Sequence, residues 1–325
     1  MGDWKSLPLG IDLGTTRVRV AFGEVHREGA TRIRAVVARD VPDEAVSPVY
    51  VAQPELVAAV LEEMLTEIGA RERRCVLALG APACALRTMR FPRMSWAERL
   101  RAARFEAQRF AGWDLDEEHS LVRTHAFDRR SGSYAVGVTR SSSIASRIAA
   151  IRMTKLRAVA VDHDALALRR MFVECDAIVD VGAERTSLHV FGPAGPFSLV
   201  SGVGGAGITR GIAAELSIDL PSAERRKRIL GCAGAGVAAR DDVVAAIAAL
   251  VDRARARAAV GRIVVTGNGA RLPGFLRDLD EATGALTQTP VPEILTSGTY
   301  PEDVVRAASP DWVLAASLAT WSVAA

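Results

Sequence analysis

Asp12-Leu13-Gly14-Thr15-Thr16 is the most informative stretch of the sequence for the fold. It joins two predicted strands, residues 9–13 and 18–25, through a tight turn. Glycine has no Cβ, so the backbone can approach a ligand here, and several N–H groups of such a turn point one way. The two threonine hydroxyls complete a nest that suits phosphate, while Asp12 can hold Mg²⁺ through water. An ordinary hairpin turn is the competing interpretation, since short motifs also occur by chance.

The same pattern occurs again in the second half of the chain. Asp180-Val181-Gly182-Ala183-Glu184 ends a predicted strand, residues 177–181, and leads into another, residues 186–191. Two halves that each open with an apolar strand, Asp-x-Gly and a hairpin predict two similar lobes around a cleft. The repeat favours a phosphate site over two unrelated hairpins. We therefore predict Asp12 and Asp180 as catalytic and metal-binding residues, and Gly14, Thr15, Thr16 and Gly182 as phosphate-binding residues.

A third candidate element lies near the end of the chain, in Val264-Val265-Thr266-Gly267-Asn268-Gly269-Ala270-Arg271-Leu272. A buried strand enters a glycine-rich turn and then a helix, and the glycines allow a flat base or a phosphate to lie against the backbone. The planar guanidinium of Arg271 can stack on a purine. A strand-to-helix loop of any α/β protein is the alternative. The predicted nucleotide contacts are Gly267, Asn268, Gly269 and Arg271.

A fourth element is the charged stretch Ala223-Glu224-Arg225-Arg226-Lys227-Arg228. On a helix Glu224 and Lys227 share a face, with Arg228 beside them. A glutamate can accept hydrogen bonds from ribose hydroxyls while the two cations flank a base. A solvated, salt-bridged helix face is the commoner meaning of such a run. Lys227 is nevertheless one of three lysines in a chain whose 41 basic residues are otherwise arginine, which favours a position where arginine would not serve.

Bulk composition limits the classes of protein to consider. A chain of 325 residues exceeds what one hydrophobic core usually supports, so two lobes are expected. The net charge of +3 is too small for a nucleic-acid-binding protein. The four cysteines lack CxxC spacing and the five histidines do not cluster, which argues against a zinc site. Without a signal peptide or an apolar run of ~18 residues, we expect a cytoplasmic protein that does not insert into the membrane.

Together the four elements resemble the actin, DnaK-type chaperone and sugar kinase superfamily of ATPases over nearly the whole chain. The resemblance implies an α/β, actin-like (ribonuclease H-like) fold, with two lobes of mixed sheets flanked by helices, and ATP and Mg²⁺ as cofactors. It also implies backbone contacts to the nucleotide at Gly204 and Gly205, and a water-orienting role for Asp162. Arg19 stands where the superfamily often has lysine, so its contact to the terminal phosphate would differ in geometry. The spacing of the chaperone adenine–ribose clamp is found at Glu224, Lys227 and Arg228.

Within that superfamily, the chain most resembles the PilM family of type IV pilus assembly proteins, with FtsA as its neighbour. Phe91-Pro92-Arg93-Met94-Ser95 and the predicted helix at residues 98–110 look like the start of the subdomain that both families insert in the first lobe. Residues 204–209 and the Glu224/Lys227 spacing follow the PilM pattern. The implied organisation is a first lobe at residues 1–175 with an insert at about 86–157, a second lobe at residues 176–325, and a final helix at about 310–322 that packs back on the first lobe.

The same resemblance implies an ATP-binding scaffold, located at the inner membrane through partners, with weak or no ATP hydrolysis. Its partner would be the cytoplasmic N-terminal segment of a PilN-like inner-membrane protein, and self-association is left open. An FtsA-like filament-forming division protein and a small-molecule kinase of the same superfamily are the alternatives. A GxGxxG match at residues 202–207 also raises a dinucleotide oxidoreductase, but no clear βαβ unit is predicted around it.

Overall fold

The computed structural model describes residues 4–116, 118–128, 130–290 and 302–321. Its strands are β1 (Trp4–Ser6), β2 (Leu9–Leu13), β3 (Arg17–His26), β4 (Thr31–Asp40), β5 (Arg74–Ala78), β6 (Cys84–Arg90), β7 (Ser120–Asp128), β8 (Ser133–Arg140), β9 (Arg157–Asp162), β10 (Ala177–Val181), β11 (Thr186–Gly192), β12 (Gly195–Ser201), β13 (Arg262–Thr266) and β14 (Leu286–Gln288). Its helices are α1 (Pro54–Ile68), α2 (Trp96–Ala107), α3 (Ser141–Arg152), α4 (Asp164–Met171), α5 (Gly205–Leu216), α6 (Leu220–Leu230), α7 (Val237–Arg255), α8 (Phe275–Thr283) and α9 (Glu302–Ala319), with a 3₁₀ turn at Asn268–Arg271.

The first sheet has six strands within the described residues, in the order β1-β3-β2-β5-β9, with β4 paired to β3. β2 and β3 form the antiparallel hairpin that the opening motif predicts, whereas β5 and β9 add to it in parallel. Apolar side chains on one face of these strands pack against α1 and α3 and form a continuous core. The hairpin turn therefore projects from a rigid sheet.

Helix α9 covers the opposite face of the first sheet, where Ala315, Ala316 and Ala319 pack beside Ala21. Gly10 makes this approach possible, because a Cβ on it would overlap the carbonyl oxygen of Ala315. The sequence places the start of this helix near residue 310, but the helix begins at residue 302. Proline typically stands at the first position of a helix, whereas Pro310 lies inside α9.

The second sheet has eight strands in the part of the chain that is described, in the order β14-β13-β10-β11-β12-β6-β8-β7. Its β10–β11 hairpin repeats β2–β3, and β13 pairs in parallel with β10 as β5 does with β2. Apolar residues of α5, α7 and α8 pack on these strands in a second core. The two halves of the chain thus build similar sheets, which is the architecture that the sequence repeat predicts.

One sheet connection joins the two halves in a way that the sequence does not predict. β6, β7 and β8 come from the first half of the chain, yet β6 pairs with β12, so the three strands extend the second sheet. The Thr88 hydroxyl donates to the carbonyl oxygen of Pro196 at 3.0 Å across this junction. Helix α2 packs on β7 and β8. The lobe boundaries and the insert at about 86–157 stay predictions.

Candidate functional site

A cavity of about 620 Å³ lies where the turns of the two hairpins face each other. Its lining includes both Asp-x-Gly turns, the 3₁₀ turn after β13 and one face of α6. The predicted site residues that line it are Asp12, Gly14, Thr15, Thr16, Arg19, Asp180, Gly182, Gly205, Glu224, Lys227, Arg228, Gly267, Asn268, Gly269 and Arg271. Asp162 and Gly204 lie outside this lining. Four segments that are far apart in sequence therefore meet around one cavity.

The two Asp-x-Gly turns have the same local structure. The N–H of Gly14 donates to the carbonyl oxygen of Arg17 at 3.1 Å, and that of Gly182 donates to the carbonyl oxygen of Arg185 at 2.9 Å. In each turn, a Cβ on the glycine would crowd the carbonyl that it bonds to. The repeat found in the sequence is therefore a repeat of backbone geometry.

The start of α5 supports the second of these turns. The N–H of Gly205 donates to the carbonyl oxygen of Gly182 at 2.9 Å, and that of Ala206 donates to the carbonyl oxygen of Ala183 at 2.8 Å. Gly204 allows this contact, because a Cβ there would lie 2.5 Å from the Ala183 oxygen. Gly204 thus packs under the turn, while Gly205 faces the cavity.

The carboxylates of the two turns lie in an acidic, partly dehydrated place. Burial raises the pKa of Asp12, an effect that Arg19 partly offsets. Burial also raises the pKa of Asp180 to about 6, and the charge of Asp12 adds to that shift. Carboxylates in such a pair are stabilised by a nearby cation. Among the described residues no three His, Cys, Asp or Glu side chains are arranged to hold a metal alone, so Mg²⁺ would also need phosphate oxygens and water.

Arg19 is held between two carboxylates. Its Nε donates to Oδ1 of Asp311 at 2.7 Å, and its Nη1 donates to Oδ2 of Asp12 at 3.2 Å. Burial disfavours the charged guanidinium, but these carboxylates outweigh that effect and raise the pKa of Arg19. The side chain therefore links the first turn to α9. Asp311 is a cavity residue that the sequence did not identify, because no motif surrounds it.

Glu224 and Lys227 fasten α6 to the start of α5. The ammonium of Lys227 lies 2.6 Å from Glu224 Oε2 and donates to the Gly205 carbonyl at 2.8 Å and to the Thr209 hydroxyl at 2.7 Å. Nε of Arg228 donates to Oε1 of Glu224 at 2.8 Å. Burial would raise the pKa of Glu224, but the hydrogen bonds from Lys227 and Thr209 lower it. At neutral pH this part of the cavity is thus lined by an ionised carboxylate that is held by Lys227, Thr209 and Arg228.

The glycine-rich turn after β13 is tied both to β10 and to α9. The N–H of Gly267 donates to the carbonyl oxygen of Pro310 at 2.7 Å. Gly267 has φ of +80°, and a Cβ on it would lie 2.5 Å from the carbonyl oxygen of Val181. A side chain at Gly269 would overlap that of Val181. The sequence predicts that a nucleotide base lies against these glycines. On the side where a Cβ would stand, however, the space beside Gly267 and Gly269 is filled by Val181 of β10.

Asp162 and Asp164 have different surroundings. The carboxylate of Asp162 pairs with Arg170 at 2.7 Å, outside the cavity lining. Asp164 is buried and lines the cavity; its Oδ1 accepts from the N–H of Ala165 at 2.7 Å. Burial alone would raise the pKa of Asp164, but His189 and His163 hold it well below its usual range. A sequence signal that could have identified Asp164 is its place as the first residue of a helix that follows a strand after a single residue.

Each sheet contains a matching run of five strands, β4-β3-β2-β5-β9 in the first and β12-β11-β10-β13-β14 in the second, and their paired turns surround one cavity. This arrangement defines an actin-like ATPase fold. The family model described as "Type IV pilus assembly protein PilM" matches residues 10–234, more than half of the chain. The chain therefore belongs to the PilM family. The model of the cell division protein FtsA also matches, over residues 177–319. No curated protein sequence matches significantly.

Solved structures agree with this assignment of the fold. A chain of the "PilM-PilN type IV pilus biogenesis complex" is 23% identical and superposes with a TM-score of 0.85, with 97% of this chain and 98% of that chain covered. The ethanolamine utilization protein EutJ from Carboxydothermus hydrogenoformans is 14% identical, with a TM-score of 0.61 and coverage of 96% and 90%. A Bacteroides thetaiotaomicron protein with actin-like ATPase fold is 8% identical, with a TM-score of 0.51 and coverage of 97% and 95%. Within the described residues, no helix is long and apolar enough to cross a membrane.

Proposed function

We propose that this protein binds ATP with Mg²⁺ in the cavity between its two Asp-x-Gly turns, and that it acts as a cytoplasmic scaffold in pilus assembly. The observation that carries the proposal is the meeting of four sequence elements around one cavity of about 620 Å³. Such a volume is in the range of small-molecule sites, which are roughly 300–1,000 Å³. The raised pKa values of Asp12 and Asp180 suit a cation between them.

Each element would hold a different part of the nucleotide. The turns at Gly14, Thr15 and Thr16 and at Gly182 would hold phosphates through backbone N–H groups and hydroxyls. Bound Mg²⁺ would neutralise phosphate charge, held by Asp12 and Asp180 through water. Adenosine would lie between the 3₁₀ turn, with Arg271 over the base, and the α6 face that carries Glu224. Gly205 and Arg228 also line the cavity, in contact with Lys227 and Glu224 respectively.

If Mg²⁺ engages Asp12 and Asp180, the two other carboxylates near the cavity are poorly placed to activate water, which supports binding with weak or no hydrolysis. Asp162 is paired with Arg170 outside the cavity lining. Oδ1 of Asp164 already accepts from the N–H of Ala165 at 2.7 Å and lies 2.8 Å from Nδ1 of His163, so it is held away from a reacting water. A small-molecule kinase would need a free base that faces an acceptor hydroxyl. A screen for ATP consumption across sugars and short carboxylic acids tests that alternative; acceptor-dependent turnover would replace the scaffold by a kinase.

Nucleotide binding is tested by titrating the protein with Mg·ATP in a calorimeter. We expect Asp12→Ala and Glu224→Ala each to weaken binding about tenfold or more, as expected for the loss of one charged contact. Glu67→Ala is the matched control, because Glu67 is also a helical glutamate paired with an arginine, Arg39, but lies outside the cavity. Affinity that is unchanged in both cavity variants would refute the site.

The partner that we propose is the cytoplasmic N-terminal segment of a PilN-like inner-membrane protein, which would bring the scaffold to the inner membrane. Membership of the PilM family and the similarity to a chain of a PilM–PilN complex support this. The nucleotide would act by favouring one relative orientation of the two lobes, which the peptide reads. Fluorescence anisotropy of such a labelled peptide, with and without Mg·ATP, tests the pairing, and no binding in either condition would refute it.

Self-association is a further expectation, and the FtsA match over residues 177–319 makes filaments the property to test. Sedimentation of the protein with Mg·ATP distinguishes an FtsA-like, filament-forming protein from a PilM-like scaffold. Material that pellets as polymers with ATP would favour the FtsA-like alternative, whereas a protein that stays in the supernatant and binds the peptide would favour the PilM-like one.

A further inference from the structure

Three arginines that line the cavity, Arg147, Arg185 and Arg271, form no ion pair among the described residues, and two of them hold the same loop. Arg17, Arg19 and Arg228 each lie within 4.0 Å of a carboxylate oxygen. Arg147 and Arg185 also line the cavity, and among the described residues neither forms such an ion pair. Arg147 is only 4% exposed. The charge of Asp12 acts on Arg147, but no carboxylate of the described residues pairs directly with this buried guanidinium, which favours a further anion beside it.

The two side chains come from opposite halves of the molecule and hold the same loop. Nη1 of Arg147, on α3, donates to the carbonyl oxygen of Val49 at 2.9 Å. Nη1 of Arg185, on the second Asp-x-Gly turn, donates to the carbonyl oxygen of Pro48 at 3.1 Å. Ser47 and Pro48 line the cavity as well. The loop at residues 47–50 is thus fixed by one arginine from each half.

Both guanidinium groups have donors left for a ligand. A guanidinium carries five N–H donors, and among the described residues only Nη1 of each arginine donates to a protein oxygen. The Nε of Arg147 is buried and has no partner. Arg185 lies near the acidic residues of the cavity, and its charge partly offsets the raised pKa values of Asp12 and Asp180.

The mutual position of the two cations also calls for an anion. Burial and the neighbouring charge of Arg185 lower the pKa of Arg147 to about 10. Like charges that are buried near each other repel, and an anion between them removes both the repulsion and the missing solvation. Arg19, at the position of the superfamily lysine, is already engaged by Asp12 and Asp311. Because these two carboxylates offset its positive charge, Arg19 would attract a phosphate less strongly.

We propose that Arg147 and Arg185 bind the terminal phosphate of a nucleoside triphosphate and so make the loop at residues 47–50 respond to that phosphate. This rests on the proposed nucleotide binding at the same cavity. The terminal phosphate of a triphosphate reaches both arginines and draws both halves of the molecule onto the loop, whereas a diphosphate offers the free donors of the two guanidinium groups no phosphate oxygen. The two arginines are thus determinants of specificity for ATP over ADP.

The first test compares the affinities of variants for Mg·ATP and Mg·ADP by calorimetry. We expect Arg147→Gln and Arg185→Gln to weaken ATP binding about 10- to 100-fold, the effect of one or two charged hydrogen bonds, with ADP binding changed less than about threefold. Arg169→Gln is the control: Arg169 also donates to two carbonyls, of Phe172 and Cys175, both at 3.0 Å, but lies outside the cavity lining. Its ratio of ATP to ADP affinity should equal that of the wild type.

Equal losses of ATP and ADP affinity in folded Arg147 and Arg185 variants, or no loss of either, would overturn the inference and leave the arginines as supports of the loop. Wild-type protein that binds neither nucleotide would instead refute the proposed function. If the wild type binds both nucleotides, and the ratio of its ATP affinity to its ADP affinity is the same in the two arginine variants, only this inference is refuted.

The second test uses the wild-type chain and does not depend on whether the variants fold. Hydrogen–deuterium exchange of the peptide that contains residues 47–50 is compared with saturating Mg·ATP and with saturating Mg·ADP. Slower exchange with ATP than with ADP is the expected result, because the terminal phosphate orders the two arginines that hold the loop. Identical exchange in the two complexes would contradict the inference.

Discussion

Lysine is rare in this chain, and the surroundings of Lys227 explain why one is present in α6. Its ammonium has three oxygen neighbours, on Glu224, Gly205 and Thr209, at 2.6–2.8 Å. Three acceptors around one point match the three donors of a compact ammonium, whereas a planar guanidinium would spread its donors over a wider area. The rarity that marks Lys227 in the sequence thus has a structural explanation beside its predicted contact to the nucleotide.

His189 predicts a pH dependence of stability. It is fully buried, and burial lowers its pKa from 6.5 to about 4. In the unfolded chain His189 takes up a proton below a pH of about 6.5, whereas in the folded chain it does so only near pH 4. Acidification below about pH 6.5 therefore stabilises the unfolded state, and the contribution of His189 to the free energy of unfolding is lost. From about pH 7 to about pH 5 the loss should be about 1–2 kcal/mol, and His189→Gln should remove it.

Urea unfolding of the wild type and of His189→Gln at both pH values measures this effect. The difference between the two proteins in their loss of unfolding free energy isolates His189 from other titrating groups. Equal losses in the two proteins would contradict the assignment of a neutral, buried imidazole.

Elements formed by local pattern were predictable from the sequence, whereas those that depend on distant partners were not. The strands at Leu9–Leu13 and Ala177–Val181 agree with the prediction, because each is apolar and ends at a glycine turn. Ser95-Trp96-Ala97-Glu98 has the sequence pattern of a capping box, and the structure shows that capping box at the start of α2. No strand was predicted at Trp4–Ser6, Cys84–Arg90 or Leu286–Gln288, because each depends on an edge supplied by residues far away in sequence.

The packing of α9 on β2 gives a prediction at the scale of elements. Gly10→Ala would place a methyl group into the backbone of α9 at Ala315, which must then move off the sheet. We expect a loss of unfolding free energy of about 3 kcal/mol or more, the upper range for overpacking. Gly207→Ala is the control, because a Cβ at Gly207 meets nothing within 4 Å. Thermal unfolding of both variants checks this, and equal stability would argue against the close contact.

At the scale of the whole molecule, the cavity is lined by residues from distant parts of the chain, and no single motif contains them all. Asp311 reaches Arg19 only because α9 returns to the first sheet, and Pro310 reaches Gly267 for the same reason. Arg147 lies in a helix with no unusual pattern, so sequence reasoning had no signal for its place at the cavity. The motifs therefore predicted which backbone turns line the cavity, and the fold was needed to show which charged side chains surround it.

A crystal structure of the protein with Mg²⁺ and a non-hydrolysable ATP analogue tests the central claim most directly. We expect the nucleotide in the cavity, with its phosphates contacted by the turns that begin at Asp12 and Asp180 and its base between Arg271 and α6. A nucleotide bound elsewhere, or a cavity that stays empty at saturating concentrations of the analogue, would contradict it.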